Sequence, residues 1–118
     1  MPYNFVWGCG GANSDIAGYF AGGLTVNSVP YQNTVWKVNF SNDAVTNSLA
    51  VLPAGLHQAW ASGSSTNAYF MGGNSGPLLT TVNNMLYANE TVSANPGSLL
   101  VATALGSAIN SPSAVYFC

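Results

Sequence analysis

The chain has 118 residues, enough for one domain with a core of its own and too few for two independent ones. One Lys, no Arg and three acids (Asp15, Asp43 and Glu90) leave 3% of it charged, against roughly 25% in ordinary soluble domains. So few cations cannot neutralise phosphates, which excludes nucleic-acid binding through a basic face and attraction to anionic membranes; solubility must rest on Asn, Ser, Thr and Gly.

From the N-terminus, Met1-Pro2-Tyr3-Asn4 has neither a positive nor an apolar leader segment, so no secretion signal is expected. No apolar run reaches about 18 residues, so no membrane-spanning helix is expected either. Apolar residues instead alternate in short stretches, never at helical spacing, and predict strands. In chain order these are Phe5–Cys9, Gly18–Ala21, Thr34–Phe40 and Val45–Leu52, then Leu56–Ala61, Ala68–Met71, Val82–Ala88 and Val92–Leu100, and finally Val101–Leu105 and Ala114–Cys118. Gly8-Cys9-Gly10-Gly11 is a loop with no helix after it, so it is not a phosphate cradle. Residues 34, 36, 38 and 40 share one face, and Lys37 falls on the other with Val35 and Asn39; one face packs and the other meets loops or solvent. Ser41–Ala44 and Ala88–Thr91 read as tight turns in which Asn42 and Asn89 cap their own backbone. The pairs Gly22-Gly23 and Gly72-Gly73 close strands where positive φ or close backbone approach is needed.

The chain is also self-similar. Gly18-Tyr19-Phe20-Ala21-Gly22-Gly23 returns as Ala68-Tyr69-Phe70-Met71-Gly72-Gly73, and Val115-Tyr116-Phe117-Cys118 carries the phrase a third time. A shift of 47 residues, from Tyr69 to Tyr116, aligns Thr34-Val35 with Thr81-Val82, Asn42-Asp43 with Asn89-Glu90 and Leu52 with Leu99. Between Gly18 and Ala68 the shift is 50, which places a three-residue insertion in a loop within Leu24 to Asn33. Four strands per period match a propeller blade, whose repeat is about 40–50 residues. The expected fold is all-β, about two and a half four-stranded blades: blade 1 about 5–53, blade 2 about 56–100, partial blade 101–118. A closed ring takes about 4–8 blades. Either the chain continues in a longer protein or copies assemble, and Tyr3-Asn4-Phe5-Val6-Trp7 is the expected partner for the edge strand Ala114–Cys118.

Candidate chemistry is sparse. His57, the sole imidazole, lacks any spacing that would bring Asp15 or Asp43 to orient it, so it is expected as a strand His bonded to backbone or water. Asp43 and Glu90 could suggest the carboxylate pair of a glycosidase, but they occupy one turn of successive units and the repeat accounts for both. No CxxC, HxxxH or HExxH spacing is present, so neither a metal nor another cofactor is expected. Cys9 and Cys118 end strands that could be neighbours; buried free thiols are favoured over a disulfide. Most aromatics should pack between units, and Tyr31, Trp60 or Tyr87 at an exposed rim would be the sugar-stacking alternative. The glycosylation triplets Asn39-Phe40-Ser41 and Asn89-Glu90-Thr91 are discounted without a secretion signal.

The phrase at Gly18 to Gly23, the strand and turn from Val35 to Asp43, Leu49 to Leu52, and Ala68 to Gly73 resemble kelch-like propeller repeats. They are more closely similar to tandem repeats of virion structural and tail-fibre proteins of marine tailed phages, notably those of cyanobacteria. The second unit departs from that pattern with Tyr87-Ala88-Asn89-Glu90 in place of Phe-Ser-Asn-Asp, and Cys118 stands where a Gly would begin. The resemblance implies a β-propeller on a virion or other extracellular particle, a non-enzymatic structural or adhesive part whose partners are copies of itself, other virion proteins or a host-surface glycan. Kelch enzymes of the galactose oxidase kind hold copper through His and a Cys-Tyr constellation that this chain lacks. The alternatives are a sugar-binding lectin assembled from two-blade protomers and a subunit of an extracellular filament.

Overall fold

The computed structural model describes residues 6–25, 31–106, 108–110 and 115–117. In chain order its strands are β1 (Val6–Trp7), β2 (Gly10–Asn13), β3 (Ala17–Ala21), β4 (Leu24–Thr25), β5 (Thr34–Asn39), β6 (Val45–Val51), β7 (Trp60–Gly63), β8 (Asn67–Met71), β9 (Val82–Leu86), β10 (Thr91–Ala94), β11 (Ala108–Asn110) and β12 (Val115–Phe117). No helix occurs among the described residues, and the all-β expectation holds. β2-β3-β5-β6 form one four-stranded antiparallel sheet and β7-β8-β9-β10 a second, each a meander in sequence order.

Strand alternation decides what lies between the sheets. Tyr19 sits opposite Lys37, and Phe20 opposite Trp36. Ala17, Tyr19, Ala21, Val35, Ala50 and Leu52 of the first sheet and its edge pack with Ala68, Phe70 and Met85 of the second, together with Leu56 and Ala59 of the connection. Alanine at Ala17, Ala21, Ala50 and Ala68 lets the backbones approach, while Tyr19 and Phe70 fill the remaining space, as close packing requires. The face carrying Lys37 is therefore the one that meets the second sheet, and the Trp36 face is turned away from it.

The repeat extends to hydrogen bonding. Gly22 N donates to Thr34 O and Gly72 N to Thr81 O; Leu52 N donates to Asn33 O and Leu99 N to Thr80 O; Phe40 N donates to Ile16 O and Tyr87 N to Thr66 O. Bonds between units repeat as well. Gly23 N donates to Leu56 O at 2.7 Å, and its counterpart Gly73 N donates to Thr103 O at 2.9 Å. Gln58 N donates to Gly8 O, and Leu105 N to Gln58 O. β7 lies against β2, and β11 lies against β7.

Several expected strand limits are corrected by these contacts. Gly8, Gln58 and Leu105 occupy equivalent places and all have positive φ (73°, 57° and 58°). A left-handed residue ends an extended run. Phe5–Cys9 and Leu56–Ala61 are thus broken, and the first strand of each four-stranded sheet starts beyond the break, at Gly10 and Trp60, with Gly10-Gly11 in a strand rather than a loop. Val101–Leu105 forms no strand. Val92–Leu100 stops at Ala94, because Pro96 has no amide to give and Asn95 Oδ1 accepts from Gly97 N at 2.9 Å to make a turn. Within the chain β1 pairs with β4 and β12 with β11; Tyr3 to Phe5 of the expected partner for the last strand lie outside the described residues. Of the insertion segment Leu24 to Asn33, residues 26–30 lie outside the described residues.

Gly72 illustrates how tightly the units meet. Its φ is +61°, and a Cβ there would collide with the Thr103 carbonyl oxygen. Gly72→Ala is expected to cost about 2 kcal/mol or more, from the left-handed backbone and the displaced carbonyl. Gly97→Ala, outside the left-handed region and near only Asn95 Oδ1, should leave the urea midpoint nearly unchanged. Equal midpoints for the two variants would contradict this account of the contact.

Candidate functional site

Three of the four charged residues, Asp15, Lys37 and Glu90, line one cleft, and the hairpin turns explain how Glu90 comes there while Asp43 does not. Glu90 N donates to Leu86 O at 2.8 Å, closing the turn between β9 and β10. Asn89 Oδ1 accepts from Thr91 N at 3.2 Å, and Asn42 Oδ1 accepts from Ala44 N at 3.0 Å in the equivalent turn. Asp43 and Glu90 share the left-handed conformation, φ 54° and 55°. Their side chains differ in outcome: Asp43 is exposed, whereas Glu90 is 9% exposed and reaches across to the first sheet.

There, Lys37 Nζ donates to Glu90 Oε1 at 2.6 Å, and the Tyr19 hydroxyl donates to the same oxygen at 3.4 Å. Oε2 accepts from Ser48 Oγ at 2.6 Å and from Leu49 N at 2.8 Å. Burial works to raise the Glu90 pKa, but the bonds from Lys37, Ser48 and Leu49 prevail and hold it below the usual carboxylate range. Its bond to Glu90 raises the Lys37 pKa against partial burial. Lys37 Nζ also lies 5.7 Å from the centre of the Tyr19 ring. Tyr19 stacks on Tyr87 with centroids 5.3 Å apart, and the Tyr87 hydroxyl donates to Asn13 O at 2.8 Å. Burial, with smaller contributions from Tyr19 and Tyr69, pushes Tyr87 up to about 12.

Beside this cluster opens a cleft of about 660 Å³, with Asp15, Lys37, Thr46, Tyr87, Asn89 and Glu90 in its lining. The other singled-out aromatics lie elsewhere. Trp60 is 7% exposed and packs with Met71, Val82 and Leu99, with the backbone of Gly106 against its indole. Tyr31 is half-buried and stacks on His57 at 4.6 Å. His57 is buried, with Nδ1 3.2 Å from Asn74 O and backbone bonds to Asn74 in both directions. Of Tyr31, Trp60 and Tyr87, only Tyr87 lines the cleft.

Cys9 is a free, half-buried thiol whose pKa burial raises; Cys118 lies outside the described residues. Among the described residues no three of His, Cys, Asp and Glu come together as a cation site. Chemically, Glu90 is an ionised carboxylate with both oxygens occupied. It is poorly suited to deliver a proton, as a glycosidase acid must. The pair it makes with Lys37 went undetected in the sequence because the turn equivalence of Asp43 and Glu90 did not distinguish the exposed acid from the buried one.

No family model matches the chain, and no curated protein matches it.

The acid and alkaline limbs of stability follow from the pair. The folded-state pKa of Glu90 is depressed, so its contribution is complete above the ordinary value of about 4.3 and is lost as pH falls through the folded value. That of Lys37 is raised, so its contribution is complete below about 10.4 and is lost as pH rises through the folded value. Glu90→Gln should lower stability near neutral pH by about 1.5–3 kcal/mol and flatten the acid limb in denaturant titrations. An acid limb identical to that of the unmodified chain would contradict this role.

Proposed function

We propose that the chain is a non-enzymatic structural or adhesive module, a propeller-like stack of blades that presents a rigid platform on a virion or other extracellular particle. The observation that carries the platform is the twice-used contact between units: the Gly23–Leu56 and Gly73–Thr103 bonds, and the Gly8–Gln58 and Gln58–Leu105 bonds, join successive units in the same way. Sheets that meet by a repeated operation form an array whose geometry is set by the backbone. The virion setting rests on the resemblance of the repeat phrase to phage structural repeats.

A saturated Glu90 supports a supporting role over a catalytic one, since neither oxygen is left to take up a substrate proton. The lectin alternative has one observation in its favour: Tyr87, Thr46 and Asn89 border a cleft of about 660 Å³. Against it, Trp36 and Trp60 are buried, and one face of Tyr87 is already taken by Tyr19.

Negative-stain electron microscopy of the purified 118-residue chain tests the platform. Closed discs with a central channel are the expected particles; dispersed single chains or amorphous clusters would refute it. On a glycan array the lectin alternative requires binding that Asn89→Ala abolishes, whereas the structural reading expects none.

A further inference from the structure

One row of side chains is filled unequally in the two sheets. Phe20, Trp36 and Asn47 lie side by side across the first sheet, and Phe70, Asn83 and Ala94 hold the same places across the second. Residues directly opposite each other in antiparallel strands share a face. The second row therefore faces the first sheet, because Phe70 belongs to the core between them. Trp36 is 1% exposed, so the first row carries a packed indole. In the second row two positions shrink together, from Trp to Asn and from Asn to Ala.

What the smaller residues leave is a second cleft, of about 330 Å³, with Asn83 and Ala94 in its lining. Pro53 and Leu56 reach it from the first unit, Val82 and Pro96 from the second. A dry apolar cavity of about 150 Å³ is enough to hold benzene, so a two-ring group has room here. Among the described residues no charged side chain lines the cleft, and a charged ligand would lose its water without gaining a counter-ion. Asn83 is only 6% exposed, and its side-chain amide hydrogen-bonds to no other group among the described residues. A buried amide is costly to leave unmatched, so its donor and acceptor are available to whatever occupies the cleft.

We propose that this cleft binds an uncharged, planar heteroaromatic molecule of about the size of indole, whose rings take the space that Trp36 fills in the first row and whose ring N–H donates to the Asn83 amide. Apolar walls from both units cover the rings, and one polar group fixes their edge, the usual division of roles in a small-molecule site. Because the ligand touches both units, its binding also strengthens their contact. The inference goes beyond the platform reading and holds whether or not the units close a ring.

Titration of the full chain with indole, followed by nitrogen–proton NMR, is the test. Saturable shifts are expected at the Asn83 side-chain amide and at the backbone amides of Ala94 and Gly97, with a dissociation constant on the order of 1 mM or tighter. 1-Methylindole keeps the rings and loses the donor, and should bind about three- to tenfold more weakly. Asn83→Ala should remove that difference, and Asn83→Trp, which restores the absent ring, should abolish the shifts in a folded chain. No saturable shift up to the solubility limit of indole, shifts centred on other residues, or binding undiminished in folded Asn83→Trp would overturn the proposal. Equal affinity of the unmodified chain for the two compounds would overturn it as well. Should Asn83→Trp fail to fold, Ala94→Leu, at an exposed position on the cleft, narrows the same space and takes its place in the comparison.

Discussion

Burial of the Tyr19 face of one sheet against the Phe70 face of the next is the contact on which the remaining structure depends. A four-stranded sheet satisfies its own inner hydrogen bonds but leaves two faces and two edges to be covered. Each sheet here has apolar residues on both faces, so neither is complete alone. Placing Ala17, Ala21, Ala50 and Ala68 around Tyr19 and Phe70 brings the sheets close enough for backbone groups of one unit to bond to the next. The side-chain packing and the bonds from Gly23 to Leu56 and from Gln58 to Gly8 are thus two aspects of one approach.

Electrostatics enters only where that approach leaves a gap. The cluster of Lys37, Glu90, Tyr19 and Ser48 bridges the two sheets beside the cleft. A partly buried carboxylate without partners would be costly to desolvate, and four donors offset that cost. Elsewhere the surface relies on neutral turn chemistry, with Asn42, Asn89 and Asn95 accepting from amides two residues ahead. Such a surface has little long-range field with which to attract a charged partner. Recognition by this protein would have to depend on shape, hydrogen bonding and apolar contact.

Much of the fold was legible in the sequence because period and alternation are properties of residue order. The repeated phrase located β3 and β8, the turn residues Asn42 and Asn89 do cap their own backbones, and the Gly22-Gly23 and Gly72-Gly73 pairs all have positive φ. What escaped notice depended on the third dimension. Gly8, Gln58 and Leu105 make the same left-handed break with three dissimilar residue types, and Gln and Leu rarely adopt that conformation. Only the inter-unit bonds explain them. The partner of Lys37 was hidden for a related reason: three acids were available, and the choice depends on which turn lies over which sheet. Alternation likewise could not tell the buried Trp60 from Tyr87 at the cleft, since both lie near strand ends.

The central claim is that the two sheets are one cooperative structure held by their shared face. Residue-resolved native-state hydrogen exchange across a denaturant series measures this directly. Amides of β3 and β5 should open with the same free energy and the same denaturant dependence as those of β8 and β9. A lower-energy opening that exposes the second sheet while the first stays protected would contradict the claim.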